Sequence, residues 1–370
     1  MGDFIPVTRT KIIVPRRRAE ILSRPRLLAL IEELIDNRLM IVAAPAGYGK
    51  TSLLVDFAHS TQLPVCWYAL DSLDQDPMRF IAHFISAMNQ RFPSFGKSCL
   101  SALQNMGQDN LNLDALTSLI INDAYDNITE HFVLVIDDFH LVENSRPVVY
   151  FINRFLQDID ENCHVVIASR TLLTLPDLPL MVARSLVGGL SYEELAFQSE
   201  EIQSLLRQNF QISLTEDEAE ALGRETEGWV TGLLLSSQVM GKKIASRQRV
   251  ERVSGIGLYE YLAQQVLKQQ PEDVQLFLLR SSLLDEFDAG WCEEVIGKAL
   301  GIQADWYALM DAVLRSNSFV LPIGDEGQYL RYHHLFQDFL RERIQRERPG
   351  EARQIMMRLA QVYTERQEWE

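Results

Sequence analysis

Short apolar runs recur through the first half of the chain. They cover residues 39–44, 65–70, 132–136 and 165–168, and each is followed by a proline, a serine or an aspartate. A parallel strand that is buried on both faces has a continuous apolar sequence of this kind, without polar residues at alternate positions. We therefore predict a parallel sheet, in which the strand around the fourth run covers residues 164–170 and a last strand lies near residues 185–188.

Segments with helical periodicity separate these runs. The predicted helices of the first half cover residues 21–37, 52–59, 78–91, 113–128 and 146–159. The acidic segment 71–77 is expected to cap the helix that follows it, and residues 92–112 are expected to be less regular. Strands and helices alternate throughout this half, which is the pattern of an α/β domain.

Beyond residue 191 the strand-like runs give way to helical ones. The predicted helices here cover residues 199–208, 215–225, 229–240, 258–269, 273–284, 289–300 and 304–315, with a polar, basic linker at 241–257. Residues 319–323 and 328–332 are predicted to form a β-hairpin around the turn 324–327. A helix is predicted at 335–345, and helices followed by a hairpin and a helix are typical of a winged-helix domain.

A break at Pro349 and Gly350 precedes one more predicted helix, at residues 351–370. Its apolar positions, which include Ile355 and Leu359, are expected to have nothing in this chain to pack on. We therefore expect it to be the first helix of a longer helical region.

The stretch Ala44–Ser52 has the sequence of a phosphate-binding loop that joins a strand to a helix. Backbone N–H groups of such a loop surround a triphosphate, glycine allows a close approach, and the helix amino terminus adds a favourable dipole. Ala44 stands where the usual pattern has its first glycine, a change that a negative φ would tolerate. The predicted nucleotide contacts are Ala46, Gly47, Tyr48, Gly49, Lys50, Thr51 and Ser52.

Lys50 and Thr51 have specific roles in this prediction. Lys50 would reach the β- and γ-phosphates as a point charge, and the Thr51 hydroxyl would bind Mg²⁺. The expected cofactors are therefore ATP or ADP together with Mg²⁺.

Two acids close the third apolar run, since Asp137 and Asp138 directly follow Ile136. Ligands lie beyond the carboxyl ends of strands in an open α/β sheet. Asp137 is predicted to hold Mg²⁺, directly or through water, and Asp138 to orient or deprotonate the attacking water. Arg170, at the end of the next run, is predicted to reach the γ-phosphate, and a surface cation is the alternative reading.

The elements that precede the acid pair predict a strand inserted between the phosphate-loop strand and the Asp137 strand, by analogy with one branch of ATPases. The predicted fold class is an α/β P-loop NTPase of the additional-strand type with a parallel sheet, followed by a helical domain and a winged-helix domain. The predicted domains are a nucleotide-binding domain with an amino-terminal arm (1–190), a small helical domain (191–250), a winged-helix domain (251–345) and the start of a helical region (346–370).

Composition and charge narrow the class of protein. The chain has 370 residues, of which 47% are apolar, enough for two or three domains with sizeable cores. A net charge of −16 argues against a nucleic-acid-binding surface. The basic cluster of Arg16–Arg18 with Arg24 and Arg26 is better explained as a solvated face or as phosphate-side contacts of the nucleotide site. No apolar run approaches about 18 residues, so no membrane span is expected. Scattered cysteines and an amino terminus without a hydrophobic signal region predict a cytoplasmic protein.

Several motifs follow one another in an order that resembles a known family. The motifs are Ala44–Thr51, Val135–His140, Ala168–Arg170, Glu194–Phe197, Thr226–Trp229 and Arg331–Phe336. They resemble the amino-terminal part of the maltose-regulator type of large ATP-binding LuxR-family transcriptional activators. Those proteins are signal-transduction ATPases with numerous domains, and the match covers essentially the whole chain.

The resemblance implies roles for further residues. Ile21 and Leu22 match an apolar pair near the adenine, and Arg24 matches the arginine that follows the pair. Arg170 matches the first sensor. His333 matches a winged-helix histidine that contacts the β-phosphate of ADP, and the neighbouring residue 334, also a histidine, is the alternative for that role.

The resemblance also implies a mode of action. Members of the family hold ADP in a closed monomer, and inducer and ATP open them for self-association. Their sensor region and DNA-binding helix-turn-helix lie outside the part that this chain matches. The expected partners are therefore other copies of the chain and an unknown inducer bound elsewhere, with no membrane and no direct DNA contact by this chain.

Two other functions compete with a regulatory switch. A turnover ATPase of the AAA+ remodelling type would be expected to carry a trans arginine finger and a substrate pore loop, and the sequence offers no clear candidate for either. A winged helix can also bind DNA. The acidic charge argues against this function, because neutralisation of phosphates supplies most nonspecific affinity for DNA.

Overall fold

The computed structural model of this chain describes residues 6–105, 112–230, 232–233, 267–268, 270–315, 320–323, 329–332 and 334–366. The chain divides into two compact units. The amino-terminal unit comprises Met1–Ala196 with Arg207–Asn209, and the carboxyl-terminal unit comprises Phe197–Leu206 with Phe210–Glu370. The predicted linker 241–257, the predicted turn 324–327 and most of the helices predicted at 229–240 and 258–269 lie outside the described residues.

The amino-terminal unit alternates strands and helices as the sequence predicts. Its helices are α1 Pro25–Leu34, α2 Lys50–Ser60, α3 Pro77–Arg91, α4 Lys97–Asn105, α5 Leu113–Asn127, α6 Arg146–Asp158, α7 Leu178–Ala183 and α8 Tyr192–Leu195. Its strands are β1 Leu39–Ala43, β2 Val65–Ala69, β3 Phe132–Asp137, β4 Cys163–Ser169 and β5 Val187–Leu190.

The five strands form one parallel sheet in the order β2-β3-β4-β1-β5. The inserted strand that the sequence predicts is therefore β4, which lies between the phosphate-loop strand β1 and the Asp137 strand β3. Every residue of β3 and β4 is buried, which explains their continuous apolar sequences. This topology brings the carboxyl ends of β1, β3 and β4 together at one edge of the sheet.

Four helices of this unit differ from the sequence prediction. α1 begins at Pro25 and not at residue 21, because proline is favoured in the first turn and disfavours helical backbone at the residue before it. α4 lies within a segment expected to be less regular, and its buried Cys99 and Leu103 pack into the core. The short helices α7 and α8 have no counterpart in the prediction.

The cap of α3 is as expected from the acidic segment before it. The Asp76 carboxylate accepts a hydrogen bond of 2.8 Å from the backbone N–H of Arg79, and Pro77 occupies the first helical position. Such a side-chain cap satisfies one of the amide donors that a helix start leaves without an intrahelical partner.

The carboxyl-terminal unit is mainly helical. Its helices are α9 Ser199–Phe210, of which Arg207–Asn209 belong to the other unit, α10 Glu216–Thr226, α11 Glu272–Ser281, α12 Trp306–Arg315, α13 His334–Glu347 and α14 Pro349–Arg366. Between α11 and α12 a helical run extends from Ala289–Trp291 through the π-helical turn Cys292–Gly297 to Lys298–Leu300.

The predicted hairpin of the winged helix is present. β6 Val320–Ile323 pairs antiparallel with β7 Tyr329–Tyr332. Phe287 adds a bridge that the sequence does not reveal, since it exchanges backbone hydrogen bonds of 2.9 and 2.8 Å with Leu330.

Three buried polar side chains of this unit are paired with one another or with the backbone. The hydroxyls of Ser281 and Tyr332 lie 2.6 Å apart. The Gln337 amide donates to the carbonyls of Ser282 and Leu284, at 3.1 and 2.8 Å. These bonds tie α11 to β7 and α13, so the hairpin and the two helices form one packed body.

The final helix corrects the expectation that it has nothing to pack on. α14 contacts α11, α13 and the helical run that follows Ala289. Ile355 and Val362 of α14 are buried, and Arg280 of α11 pairs with Glu351 at 2.8 Å. The apolar face of α14 therefore packs within this unit.

Among the described residues, every helix is too short or too polar to cross a lipid bilayer.

Candidate functional site

The loop between β1 and α2 has the backbone conformation that its glycines require. Gly47 and Gly49 have φ of 82° and 80°, a left-handed region that is costly for residues with a Cβ. Ala44 does not have a positive φ, and its N–H bonds to the Ser169 carbonyl of β4 at 3.3 Å. Alanine therefore fits at the position where the usual motif has its first glycine, because the backbone there does not need a positive φ.

Lys50 lies inside the loop. Its ammonium donates to the carbonyls of Ala44 and Pro45, at 2.6 and 3.0 Å, and its side chain is buried. Burial, followed by the nearby Arg170 cation, lowers the pKa of Lys50 to about 8 against the opposing pull of Asp138 and Asp137. A lysine ammonium has three donors, so one remains for a phosphate oxygen beside the two loop carbonyls.

Thr51 and Asp137 meet across the sheet edge. The Thr51 hydroxyl donates to Asp137 Oδ2 at 2.8 Å, and Asp137 Oδ1 accepts from the N–H of Asp138 at 3.0 Å. Burial and the Asp138 charge raise the pKa of Asp137 to about 6, although Thr51 and Lys50 work in the opposite direction. A buried carboxylate beside a hydroxyl is a fitting pair of oxygen ligands for Mg²⁺, whose charge would offset the cost of burying the carboxylate.

The backbone turns sharply after Asp137. Asp138 has a φ of 61° and precedes a 3-10 turn, Phe139–Leu141. Aspartate is among the few residues other than glycine that adopt this conformation with some frequency, and such conformations are concentrated at functional sites. The carboxylate of Asp138 is partly exposed, so it is open to a substrate or a water molecule.

Arg170 follows β4, which places it between the ends of β1 and β3. Its charge acts on both Lys50 and His140, whose pKa values it lowers after the larger effect of burial. The loop around it is held by neighbouring hydroxyls, since Ser169 Oγ and Thr171 Oγ1 lie 2.9 Å apart and Thr171 donates to Glu143 at 2.5 Å. Arg170 thus belongs to the same group of charges as Lys50 and the acid pair.

The amino-terminal arm is fastened to the segment that contains α8. Arg24 is buried and donates to the carbonyls of Leu195 and Ala196, at 2.9 and 2.8 Å. Ile21 and Leu22 are half-buried in the non-helical segment before α1. Arg24 therefore connects the arm to the end of α8, whatever further contact it makes with a nucleotide.

The remaining residues that were predicted to contact the nucleotide differ in how exposed they are. The Tyr48 ring is buried and packs edge-on against Tyr192, with 6.3 Å between ring centroids. Ala46 is half-buried, and the side chain of Ser52 is exposed in the first turn of α2. His333 lies outside the described residues, so its predicted contact with ADP stays a prediction.

Two features of this edge escaped the sequence analysis. The ring nitrogens of His140 are buried, with Nδ1 3.9 Å from Asp138 Oδ1, and Glu143 lies on the same loop, bonded to Thr171. His140 belongs to the motif Val135–His140, on which the resemblance partly rests, but the motif did not assign a role to this residue. Arg17, in the basic cluster, pairs with Asp56 of α2 at 2.5 Å and so has a structural contact.

Comparisons with known proteins agree with this architecture. Residues 263–352 match the model of the MalT winged helix domain. The chain is 29% identical to the HTH-type transcriptional regulator MalT of Vibrio parahaemolyticus over 94% of its own length and 38% of that protein. It is 31% identical to the MalT of Yersinia pestis over 91% of its length and 37% of that protein. This chain is a homologue of MalT-type regulators.

The homology has a definite extent, because the chain spans little more than a third of the length of these relatives. A solved structure supports the fold independently. A Walker-type ATPase of Pyrococcus abyssi matches with a TM-score of 0.57 and 15% identity, over 88% of this chain and 97% of that one. The predicted fold class is confirmed by the sheet, by this neighbour and by the winged-helix match.

Proposed function

We propose that this chain is the nucleotide-dependent switch module of a signal-responsive transcriptional regulator, and that it binds ATP and ADP with Mg²⁺. The observation that carries the proposal is the hydrogen bond from Thr51 to Asp137 beside the buried ammonium of Lys50. A phosphate-binding loop needs these three groups together, since the cation binds phosphate while the hydroxyl and carboxylate bind the metal.

The chemistry of each group follows from its position. Backbone N–H groups of residues 46–52 would surround the phosphates, and the amino terminus of α2 would add its dipole. Mg²⁺ would be held by Thr51 and Asp137, and it would screen the negative charge of the phosphates. Asp138 would orient or deprotonate the attacking water, and Arg170 would bind the γ-phosphate.

We infer that hydrolysis is slow and regulatory. The homologous regulators are named for control of transcription, a role in which the bound nucleotide can report a state without continuous turnover. ADP would hold a closed resting form, and ATP would favour opening and self-association. A protein of this kind would act in the cytoplasm, and its inducer would bind a sensor region outside the matched segment.

His333 has a place in this proposal as the contact that stabilises the ADP form. It directly follows Tyr332 of β7 and precedes α13. One hydrogen bond to a charged phosphate contributes about 1.5–3 kcal/mol, enough to bias a two-state equilibrium whose states differ by a few kcal/mol. His333→Ala should therefore weaken ADP more than ATP and increase light scattering from assemblies, whereas equal losses for both nucleotides would contradict the assignment.

The decisive experiment is calorimetry of ADP and ATP binding, with Mg²⁺ and with a chelator, combined with identification of any nucleotide that co-purifies. We expect both nucleotides to bind, and Mg²⁺ to strengthen ATP binding because Thr51 and Asp137 complete its ligand set. Steady-state turnover distinguishes the switch from a remodelling ATPase, and a salt-dependent DNA-binding assay tests the winged helix. Absence of any nucleotide binding would refute the proposal.

A further inference from the structure

The backbone on both sides of Arg170 is held by hydrogen bonds that the proposed function does not use. On the amino-terminal side, the carbonyl of Ser169 accepts the N–H of Ala44 at 3.3 Å. On the carboxyl-terminal side, the Thr171 hydroxyl donates to Glu143 Oε2 at 2.5 Å. Arg170 is therefore anchored to the residue that follows β1 and to the loop that follows β3, the two strands beside β4.

The turn around Arg170 has side-chain bonds of its own. Ser169 Oγ accepts the N–H of Thr171 at 3.2 Å, and the two hydroxyl oxygens lie 2.9 Å apart. Because the Thr171 hydroxyl donates its only proton to Glu143, the proton between the two hydroxyls comes from Ser169. Ser169 is buried, so this turn has little freedom to move while its bonds are intact.

Glu143 is the outer anchor of the turn. Burial raises the pKa of its carboxyl group, and the hydrogen bond from Thr171 acts in the opposite direction. The bond therefore stabilises the ionised carboxylate, and a charged acceptor makes it stronger than a bond between neutral groups. The loop that contains Glu143 begins at Asp138, so this bond joins the loop of the proposed catalytic acid to the turn that contains Arg170.

Arg170 depends on these anchors for its direction. The residue is half-buried, and its charge lowers the pKa values of Lys50 and His140, which places its guanidinium close to the phosphate-binding loop. A long side chain reaches a fixed point only if its backbone is fixed. In catalysis, a misplacement of about 1 Å can slow a reaction on the order of 10²-fold.

We propose that Glu143 and Thr171 are positioning residues, which hold Arg170 toward the γ-phosphate of bound ATP. The inference rests on the proposed nucleotide site and adds to it two residues outside the phosphate-binding loop and the acid pair. Neither residue touches the nucleotide in this role, because Glu143 fixes the Thr171 hydroxyl and Thr171 fixes the turn that contains Arg170. Since ADP lacks a γ-phosphate, the two residues should matter for ATP and not for ADP.

The test combines the single-turnover rate of ATP hydrolysis with calorimetry of ATP and ADP binding. Thr171→Val keeps the shape of the side chain and removes its hydroxyl. We expect it to slow hydrolysis about 10- to 100-fold, the scale of loss from a misplaced group, and to weaken ATP binding while ADP binding stays unchanged. Thr171→Ser retains the hydroxyl and should restore most of the rate and of the ATP affinity. Equal weakening of ATP and ADP, or an unchanged rate, would overturn the proposal.

Two substitutions at Glu143 carry the test even if the Thr171→Val variant does not fold. Glu143→Gln retains an oxygen that can accept the Thr171 proton, whereas Glu143→Leu removes the acceptor. We therefore expect Glu143→Gln to preserve more of the rate and of the ATP affinity than Glu143→Leu. Equal losses in the two variants would show that Glu143 acts through its charge, and the positioning role would be wrong.

A double-mutant cycle with Arg170→Ala tests whether Thr171 acts through Arg170. If it does, Thr171→Val should have little further effect on the rate in the Arg170→Ala background, because coupled residues are not additive. Independent, multiplicative effects would overturn the proposal. Thr117→Val is the matched control, since it removes another threonine hydroxyl, which is buried in α5 and donates to the Leu113 carbonyl at 2.6 Å. This control should change neither the rate nor the preference between ATP and ADP.

Failure of this inference can be distinguished from failure of the proposed function. If the wild-type chain binds and hydrolyses ATP, but the Glu143 and Thr171 variants match it in rate and in the ratio of ATP to ADP affinity, only the positioning role is wrong. If the wild-type chain binds no nucleotide, the proposed function and the positioning role are both refuted.

Discussion

Buried polar groups differ between two regions of the molecule, the carboxyl edge of the five-stranded sheet and the interior of the carboxyl-terminal unit. At the sheet edge, Lys50 and Asp137 are buried with shifted pKa values, and the ring nitrogens of His140 are buried without a hydrogen-bond partner among the described residues. In the carboxyl-terminal unit, the hydroxyls of Ser281 and Tyr332 are buried and bonded to each other.

The difference teaches how to separate a binding site from structural polar contacts. A buried polar group that is fully paired stabilises one conformation, and its removal lowers the free energy of unfolding. A buried group with a strongly shifted pKa needs a ligand or a counter-charge, and such groups are concentrated at functional sites. The following predictions test this comparison.

The largest effect is expected from Lys50→Ala, which should abolish measurable binding of ADP and ATP. The substitution removes the charge-assisted contact with the phosphates, and it also removes the ammonium that bonds the loop carbonyls of Ala44 and Pro45. Calorimetry measures the affinity, and Lys97→Ala is the matched control at an exposed position. Unchanged ADP affinity in the Lys50→Ala variant would show that Lys50 does not bind the phosphates and that the sheet edge is not the nucleotide site.

A smaller effect is expected from Asp138→Asn, which should bind ATP and hydrolyse it more slowly. The loss should be about 10²-fold or more if the carboxylate acts as a general base. A single-turnover assay checks the rate, and calorimetry confirms that the variant still binds ATP. A wild-type rate would show that the acid that activates water lies elsewhere.

The two regions should also differ in how a substitution changes the free energy of unfolding. Tyr332→Phe should lower the free energy of unfolding by about 1 kcal/mol, because it removes a buried hydrogen bond. His140→Phe should not lower it in the ligand-free protein, since the ring nitrogens of His140 give up no partner within the described structure. Urea titrations of both variants measure this. Similar losses at the two sites would show that the comparison is wrong.

The smallest expected effect is a pH dependence that comes from His83. Its Nε2 accepts the N–H of Thr8 at 3.0 Å, while Nδ1 faces the Arg79 carbonyl at 2.8 Å. Burial, chiefly, lowers the pKa of His83 from its ordinary value of 6.5. The unfolded chain then binds more protons, so the free energy of unfolding should fall as the pH falls below about 6.5.

The His83→Gln variant tests this pH dependence, because glutamine has no comparable titration. Its free energy of unfolding should decline less between pH 7 and pH 5 than that of the wild type, by urea titration at each pH. Parallel declines in the two proteins would assign the pH dependence to other groups, such as His164, whose pKa burial also lowers.

Most strands and helices of the amino-terminal unit could be predicted because each depends mainly on residues that are close together in the sequence. Strands β1 to β4 were predicted within a few residues, since burial on both faces leaves an apolar run without polar interruptions. β5 was predicted two residues early, because its sequence Val-Gly-Gly-Leu is weakly apolar. The approach of Thr51 to Asp137 followed from the strand ends, since parallel strands bring their carboxyl termini to one edge.

What the sequence did not reveal depends on contacts between distant residues. The bridge between Phe287 and Leu330, and the packing of α14 on α11 and α13, leave no periodic signal at either partner. The lowered pKa of His140 depends, after burial, on the charges of Arg170 and Lys50, which come from other strands and loops. Pattern analysis finds the motif that contains His140, but it does not show that the ring lacks a partner.

The position of β1 has a consequence for the order in which the protein is made. Both neighbours of β1 come later in the chain, since Leu39 pairs with Val165 of β4 and with Val187 of β5. On a ribosome that adds about 5–20 residues per second, the first of these partners emerges roughly 6–25 s after β1. During that interval the apolar strand has no sheet to join, and its loop has no Asp137 until β3 is made. The nascent chain therefore cannot bring the proposed metal ligands Thr51 and Asp137 together until β3 and the intervening strand β4 have both been made, and β1 stays an unpaired apolar strand until then.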